Sequence, residues 1–112
     1  MTNLTHHRAA LVAKLLDVDA RLANVAPCER PTGDEGDRRA HALAEALAID
    51  ERARLSRQRR EIAEAIGRVD GGRYGRCVDC DGVIPDARLK AVPDAPCCVG
   101  CEARRERTRS AL

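Results

Sequence analysis

Among the chain's six cysteines, four form two matched pairs. Cys77 and Cys80 stand two residues apart, as do Cys98 and Cys101, and seventeen residues separate the pairs. A gap of two residues lets both thiolates of one turn face the same cation. Two such turns close a tetrahedron of sulfur around zinc, with bonds of ~2.3 Å and no position left for water. A closed shell predicts one structural zinc ion. Two disulfides or an iron–sulfur cluster would use the same residues. Against a secreted, disulfide-bonded protein, Met1 to Arg8 is polar and lacks the apolar centre of a secretory signal. Paired C-x2-C motifs then favour metal and a cytoplasmic chain. Cys97 could compete with Cys98, but it would stretch the second gap to three residues. Cys28 lies apart and reads as an incidental thiol.

The elements that must position these sulfurs are short of apolar bulk. The only aromatic residue in the 112 is Tyr74, and charged residues make up 34% of the chain. Ala, Leu, Ile and Val carry nearly all the apolar content, which suits a thin helical shape better than a globule. Leu4, Leu11, Leu15, Val18, Leu22 and Val25 recur at steps of three, four or seven, with Arg8 in the skipped place. This seam predicts a helix over about 5–26, with Thr2 or Thr5 as its cap. Two prolines and two glycines between Pro27 and Asp37 predict a loop. A second helix is expected from Asp37, as N-cap, to the stop at Gly71–Gly72. Its apolar positions are Ala40, Leu43, Leu47, Leu55, Ile62, Ile66 and Val69. Two striped helices joined by a short loop pack antiparallel. The expected fold is mainly α, an antiparallel coiled-coil hairpin over 1–72 with its tip near 27–37. A small C4 zinc finger ending in a short helix follows over 73–112. Val83–Ile84 is the one strand-like pair.

Charge and motif content exclude several functions. A net charge of +2 is not the excess of a protein held to nucleic acid by many phosphate contacts. No run approaches the ~18 apolar residues of a membrane span. No Ser–His–acid set stands out, His6 and His7 read as solvated, and His41 lies on a charged helix. No enzymatic activity is expected.

The finger carries a more specific pattern. Gly72, Tyr74, Gly75 and Cys77 spell G-x-Y-G-x-C; Ile84 follows, and Arg88, Leu89, Ala91 and Pro93 spell R-L-x-A-x-P before the second pair. This segment resembles the DksA/TraR-type C4 zinc-finger family of bacterial transcription factors, and the hairpin before it agrees in kind. The resemblance implies a monomer that binds RNA polymerase directly rather than DNA. Its hairpin would enter the secondary channel, with acidic tip residues acting near the catalytic centre. The family tip reads D-x-x-D-x-A, and Asp34 and Asp37 occupy its acidic positions, Asp37 forty residues before Cys77. Arg39 departs from the pattern where Ala is expected. Some members also bind guanosine tetraphosphate with basic residues on the second helix and after the last cysteine. Arg54 agrees with that, whereas Glu61 and Glu102 replace the expected lysines and repel phosphate. Two other readings remain. One is a zinc-dependent nucleic-acid binder using Arg104, Arg105, Arg107 and Arg109; the other is a scaffold that pairs through the seam gap between Leu47 and Leu55.

Overall fold

The computed structural model describes residues 4–25 and 33–111. Thr2, Cys28 and the Pro27–Thr32 part of the predicted loop lie outside the described residues. Among these residues four helices follow in order, α1 (Leu4–Ala23), α2 (Glu35–Asp70), α3 (Asp86–Ala91) and α4 (Val99–Ala111). The only β pairing among the described residues is an isolated antiparallel bridge between Arg76 and Val83.

Helices α1 and α2 pair antiparallel. Arg8 meets Asp70, Asp19 meets Arg59, and the Val25 carbonyl accepts from Arg52, so rising numbers on α1 face falling numbers on α2. These ion pairs are exposed and each contributes little stability; the shared aliphatic seam holds the helices together. Leu11, Val18, Leu55, Ile62 and Ala65 are buried, and Leu15, Leu22, Val25, Ile66 and Val69 pack against them.

The seam on α2 stops short of its predicted length. Leu43 and Leu47 are 63% and 60% exposed, although both belong to the expected stripe. The reason is the unequal length of the two helices. Helix α1 has 20 residues and α2 has 36. Arg52 lies opposite Val25, so Glu35 to Glu51, ~25 Å of helix, run on past the end of α1.

Helix α2 also starts earlier than expected. Asp34, not Asp37, is its N-cap, and the Asp34 carboxylate accepts the backbone N–H of Asp37 at 2.8 Å. Gly36 reads as a helix breaker in the sequence but permits this cap. A Cβ there would sit 3.3 Å from the Asp34 carboxylate oxygen. At the other end Gly72 takes φ +73, the left-handed turn that ends the helix, and Arg73 N–H closes it onto the Arg68 carbonyl.

The hairpin and the finger share one core, which continues through Tyr74, Cys77, Ile84, Leu89, Cys97 and Cys101. The N-terminal half of α1 reaches across the predicted boundary at residue 72. His7 is buried there rather than solvated, its Nε2 3.3 Å from Asp86 and its ring 5.4 Å from Tyr74. Lys14 donates to Asp94, which is itself buried, at 2.6 Å. The hydrogen bond from His7, followed by that from Lys90, holds the Asp86 carboxyl below its usual range.

The uneven seam leads to a measurable contrast. Leu55→Ala and Ile62→Ala each remove a fully buried side chain, and each should cost ~2–5 kcal/mol in denaturant unfolding. Leu47→Ala should stay within ~0.5 kcal/mol of wild type. An equal cost at Leu47 would mean that the outer part of α2 is covered in solution.

Candidate metal centre

The first knuckle is built by a tight turn. Cys77 N–H donates to the Gly82 carbonyl, and Asp81 N–H donates to the Cys77 carbonyl. Asp81 accepts a left-handed φ of 59° to make that return. Gly82 passes so close to the site that a Cβ on it would lie 3.2 Å from the Cys80 sulfur. The second knuckle opens α4, where Glu102 N–H bonds to the Cys98 carbonyl. Val78 N–H donates to the Pro96 carbonyl and ties the two knuckles together.

These turns bring the sulfurs of Cys77, Cys80, Cys98 and Cys101 within 4.8 Å of one another. Cys80 and Cys98 sulfurs are 3.9 Å apart. Zinc–sulfur bonds of ~2.3 Å in a tetrahedron require edges of about 3.8 Å, so the donor set fits zinc closely. Its protonation chemistry also calls for a cation. Burial opposes charge on Cys77, but the backbone N–H groups of Cys80, Cys98 and Asp79 outweigh it and hold the thiol at about 6. The Cys101 N–H lowers Cys98 in the same way. Burial, then the neighbouring sulfurs, push Cys101 up to about 12. Four thiolates this close cannot all stay charged by themselves. A dication at their centre removes the conflict.

Cys97 stands outside this group. Its buried thiol points at Asp79, 3.6 Å away, and burial raises it to about 11. Arg88 Nε donates to the Cys97 carbonyl at 3.0 Å, holding the backbone so that the next residue, Cys98, faces the cluster.

The motif residues around the cysteines each have a mechanical task. Tyr74 Oη donates to the Pro93 carbonyl at 2.7 Å, and burial raises its pKa. Gly75 takes φ +89 with Leu89 packed beneath it, and its carbonyl accepts Ile84 N–H. Arg88 and Leu89 come from α3, a six-residue helix that adds to the one short helix expected at the end of the finger. Its N-cap is Pro85, which offers no side-chain cap, so the usual start signal is missing.

The arginines of α4 also belong to the centre, which the cysteine spacing alone does not reveal. Arg104 Nη2 donates to the Cys101 sulfur at 3.0 Å, and Arg105 makes two 2.7 Å bonds to Asp79 between the first two cysteines. The i,i+3 spacing from Cys101 to Arg104 on a helix is the signal that would have found the first. The candidate tip residues lie elsewhere, on the exposed first turns of α2, where Arg39 pairs with Glu35 at 3.1 Å.

Residues 72–107 match the model of the prokaryotic dksA/traR C4-type zinc finger. Over 60 residues the chain is 32% identical to an 8.5 kDa protein of the gpA 5′ region of Escherichia phage 186, spanning 54% of this chain and 80% of that protein. The chain belongs to the DksA/TraR C4 zinc-finger family. The whole architecture is shared as well. Transcription factor DksA2 from Pseudomonas aeruginosa superimposes with a TM-score of 0.80 at 24% identity, over 96% of this chain and 85% of that one. The structure described as RNA polymerase binding protein and transcriptional regulator Dks from Chlamydia trachomatis gives a TM-score of 0.56 at 20% identity, over 96% and 94%. As in its family, the four clustered cysteines hold one structural zinc ion.

Metal binding of this kind supplies on the order of 10 kcal/mol. Cys80→Ser should therefore lose zinc by elemental analysis and lose amide protection in α3 and α4 by hydrogen exchange. Protection around Leu55 and Ile62 should persist. Unchanged protection of α4 would show that the finger folds without metal.

Proposed function

We propose that this chain is a non-enzymatic transcription regulator that binds RNA polymerase through the secondary channel. In this reading the finger, 73–112, is the base and the hairpin, 1–72, is the arm, with Asp34 and Asp37 acting near the polymerase catalytic centre. The observation that carries the proposal is the pairing of a DksA/TraR finger with a long arm. The molecule measures 61 × 35 × 20 Å, and the acidic start of α2 lies far along that helix from the zinc cluster. A DksA-type fold described as an RNA polymerase binding protein in Chlamydia trachomatis supports the choice of partner.

The tip chemistry is more specific than a pair of free carboxylates. Asp34 is engaged as a helix cap, so its charge sits at the positive end of α2. Arg39 turns to Glu35, one side chain away from the Asp34–Asp37 pair. Arg39 therefore draws on Glu35 for its counter-charge, and both aspartates remain available to act on a magnesium-bound centre through charge.

A nucleic-acid role has less support. Of the four tail arginines, Arg104 bonds a zinc ligand, Arg105 bonds Asp79 and Arg109 pairs with Glu102. These three are committed within the finger, which argues against direct DNA binding through the tail. A cleft of about 650 Å³ between α2 and α4 collects Glu61, Glu64, Glu102 and Glu106 beside its arginines. Arg54 is paired with Glu51. Glu61 and Glu102, where the family pattern has lysines, disfavour a strong guanosine tetraphosphate contribution.

Transcription in vitro with RNA polymerase tests the proposal. Asp34→Asn keeps the cap, since Asn caps as well as Asp, and removes only the charge. The Asp34→Asn/Asp37→Asn protein should still bind polymerase but lose its effect on transcription. Photocrosslinking from position 33 should reach the catalytic region. Crosslinks confined to the outer surface of polymerase would defeat the channel assignment.

A further inference from the structure

The zinc cluster has an unequal set of neighbours. Cys80 is exposed, whereas Cys77 and Cys101 are buried. Cys101 nevertheless lines a cleft of about 500 Å³, together with Asp79, Arg104, Arg105, Thr108 and Arg109. Arg104 stands in that cleft with Nη2 3.0 Å from the Cys101 sulfur. Its own turn of helix is fixed by Thr108, whose Oγ1 donates to the Arg104 carbonyl, and the adjoining Arg105 is held to Asp79 by two bonds.

Zinc held by four thiolates carries a formal charge of about −2, spread over sulfurs that stay nucleophilic. A guanidinium N–H donated to one of them withdraws electron density from that sulfur and offsets the cluster charge. We infer that Arg104 is a positioning and shielding residue of the zinc centre, lowering the reactivity of Cys101 toward electrophiles that enter the α4 cleft. This inference rests on the zinc assignment and not on the polymerase reading, so either can fail without the other.

Iodoacetamide is a suitable probe. The Cys101 sulfur bonds to the methylene carbon, iodide leaves with its electron pair, and the resulting neutral thioether no longer holds the metal. Zinc-loaded wild type, Arg104→Gln, Arg104→Lys and Arg107→Gln would be treated in parallel, with site-resolved mass spectrometry and zinc release to a chromogenic chelator as readouts. Arg104→Gln should be alkylated at Cys101 roughly three- to tenfold faster than wild type, the scale of the net contribution of one ordinary hydrogen bond. The acceleration at Cys80 should be smaller, Arg104→Lys should recover part of the protection, and Arg107→Gln should match wild type. In the cobalt-substituted protein the sulfur-to-metal charge-transfer band of Arg104→Gln should move to longer wavelength. An equal acceleration at all four cysteines would indicate general loosening of the finger and overturn the inference. So would a wild-type rate at Cys101, or an unmoved cobalt band.

Discussion

Four sulfurs drawn within 4.8 Å of one another cannot all be charged unless a cation sits among them, and the rest of the C-terminal third follows from that constraint. The segment between Arg73 and Cys101 has too little apolar surface to collapse unaided. Zinc supplies what the hydrophobic effect lacks there and fixes two knuckles in one orientation. The first knuckle carries Asp79, the partner of Arg105. The second is the first turn of α4. Helix α4 therefore leaves the cluster in a fixed direction, and its arginines fold back on the turns that launched it.

The finger in turn seats the hairpin. Helix α1 is bonded to α2 along one side and to the finger through His7–Asp86 and Lys14–Asp94. The core is continuous from Leu11 to Cys101, with Tyr74 and Leu89 among its members. Tyr74, the one residue of the Phe, Tyr and Trp class, sits at the junction, where its ring packs on His7 and its hydroxyl bonds Pro93. The charged residues add register more than stability, since most of their pairs are exposed.

An arm anchored in this way can extend without a core of its own. Past Val25 the long helix keeps its shape through its backbone bonds and the Asp34 cap, while Leu43, Leu47 and Ile49 stay exposed. Such a helix would be a poor way to build a compact domain. It suits a probe that finds its contacts on a partner, in keeping with the proposed role.

The sequence by itself determined the chemistry and the class of fold. The C-x2-C pairs specify a four-thiolate metal site because two-residue gaps are enough to aim both thiolates of a turn. The seven-residue recurrence of Leu and Val specifies a hairpin because helical periodicity is local. Tertiary structure decided what depends on residues distant in the chain. His7 was legible only as a polar residue near the N-terminus, and it is buried because α1 overlies the finger, where its partner Asp86 lies 79 residues later. Leu43 and Leu47 continue the stripe yet remain exposed, because α1 ends before it can cover them. The basic tail reads in the sequence as a candidate nucleic-acid-binding face, but folding turns Arg104 onto a zinc ligand and Arg105 onto the other knuckle. Burial and charge pairing are properties of neighbours in space, which periodicity and spacing along a chain do not specify.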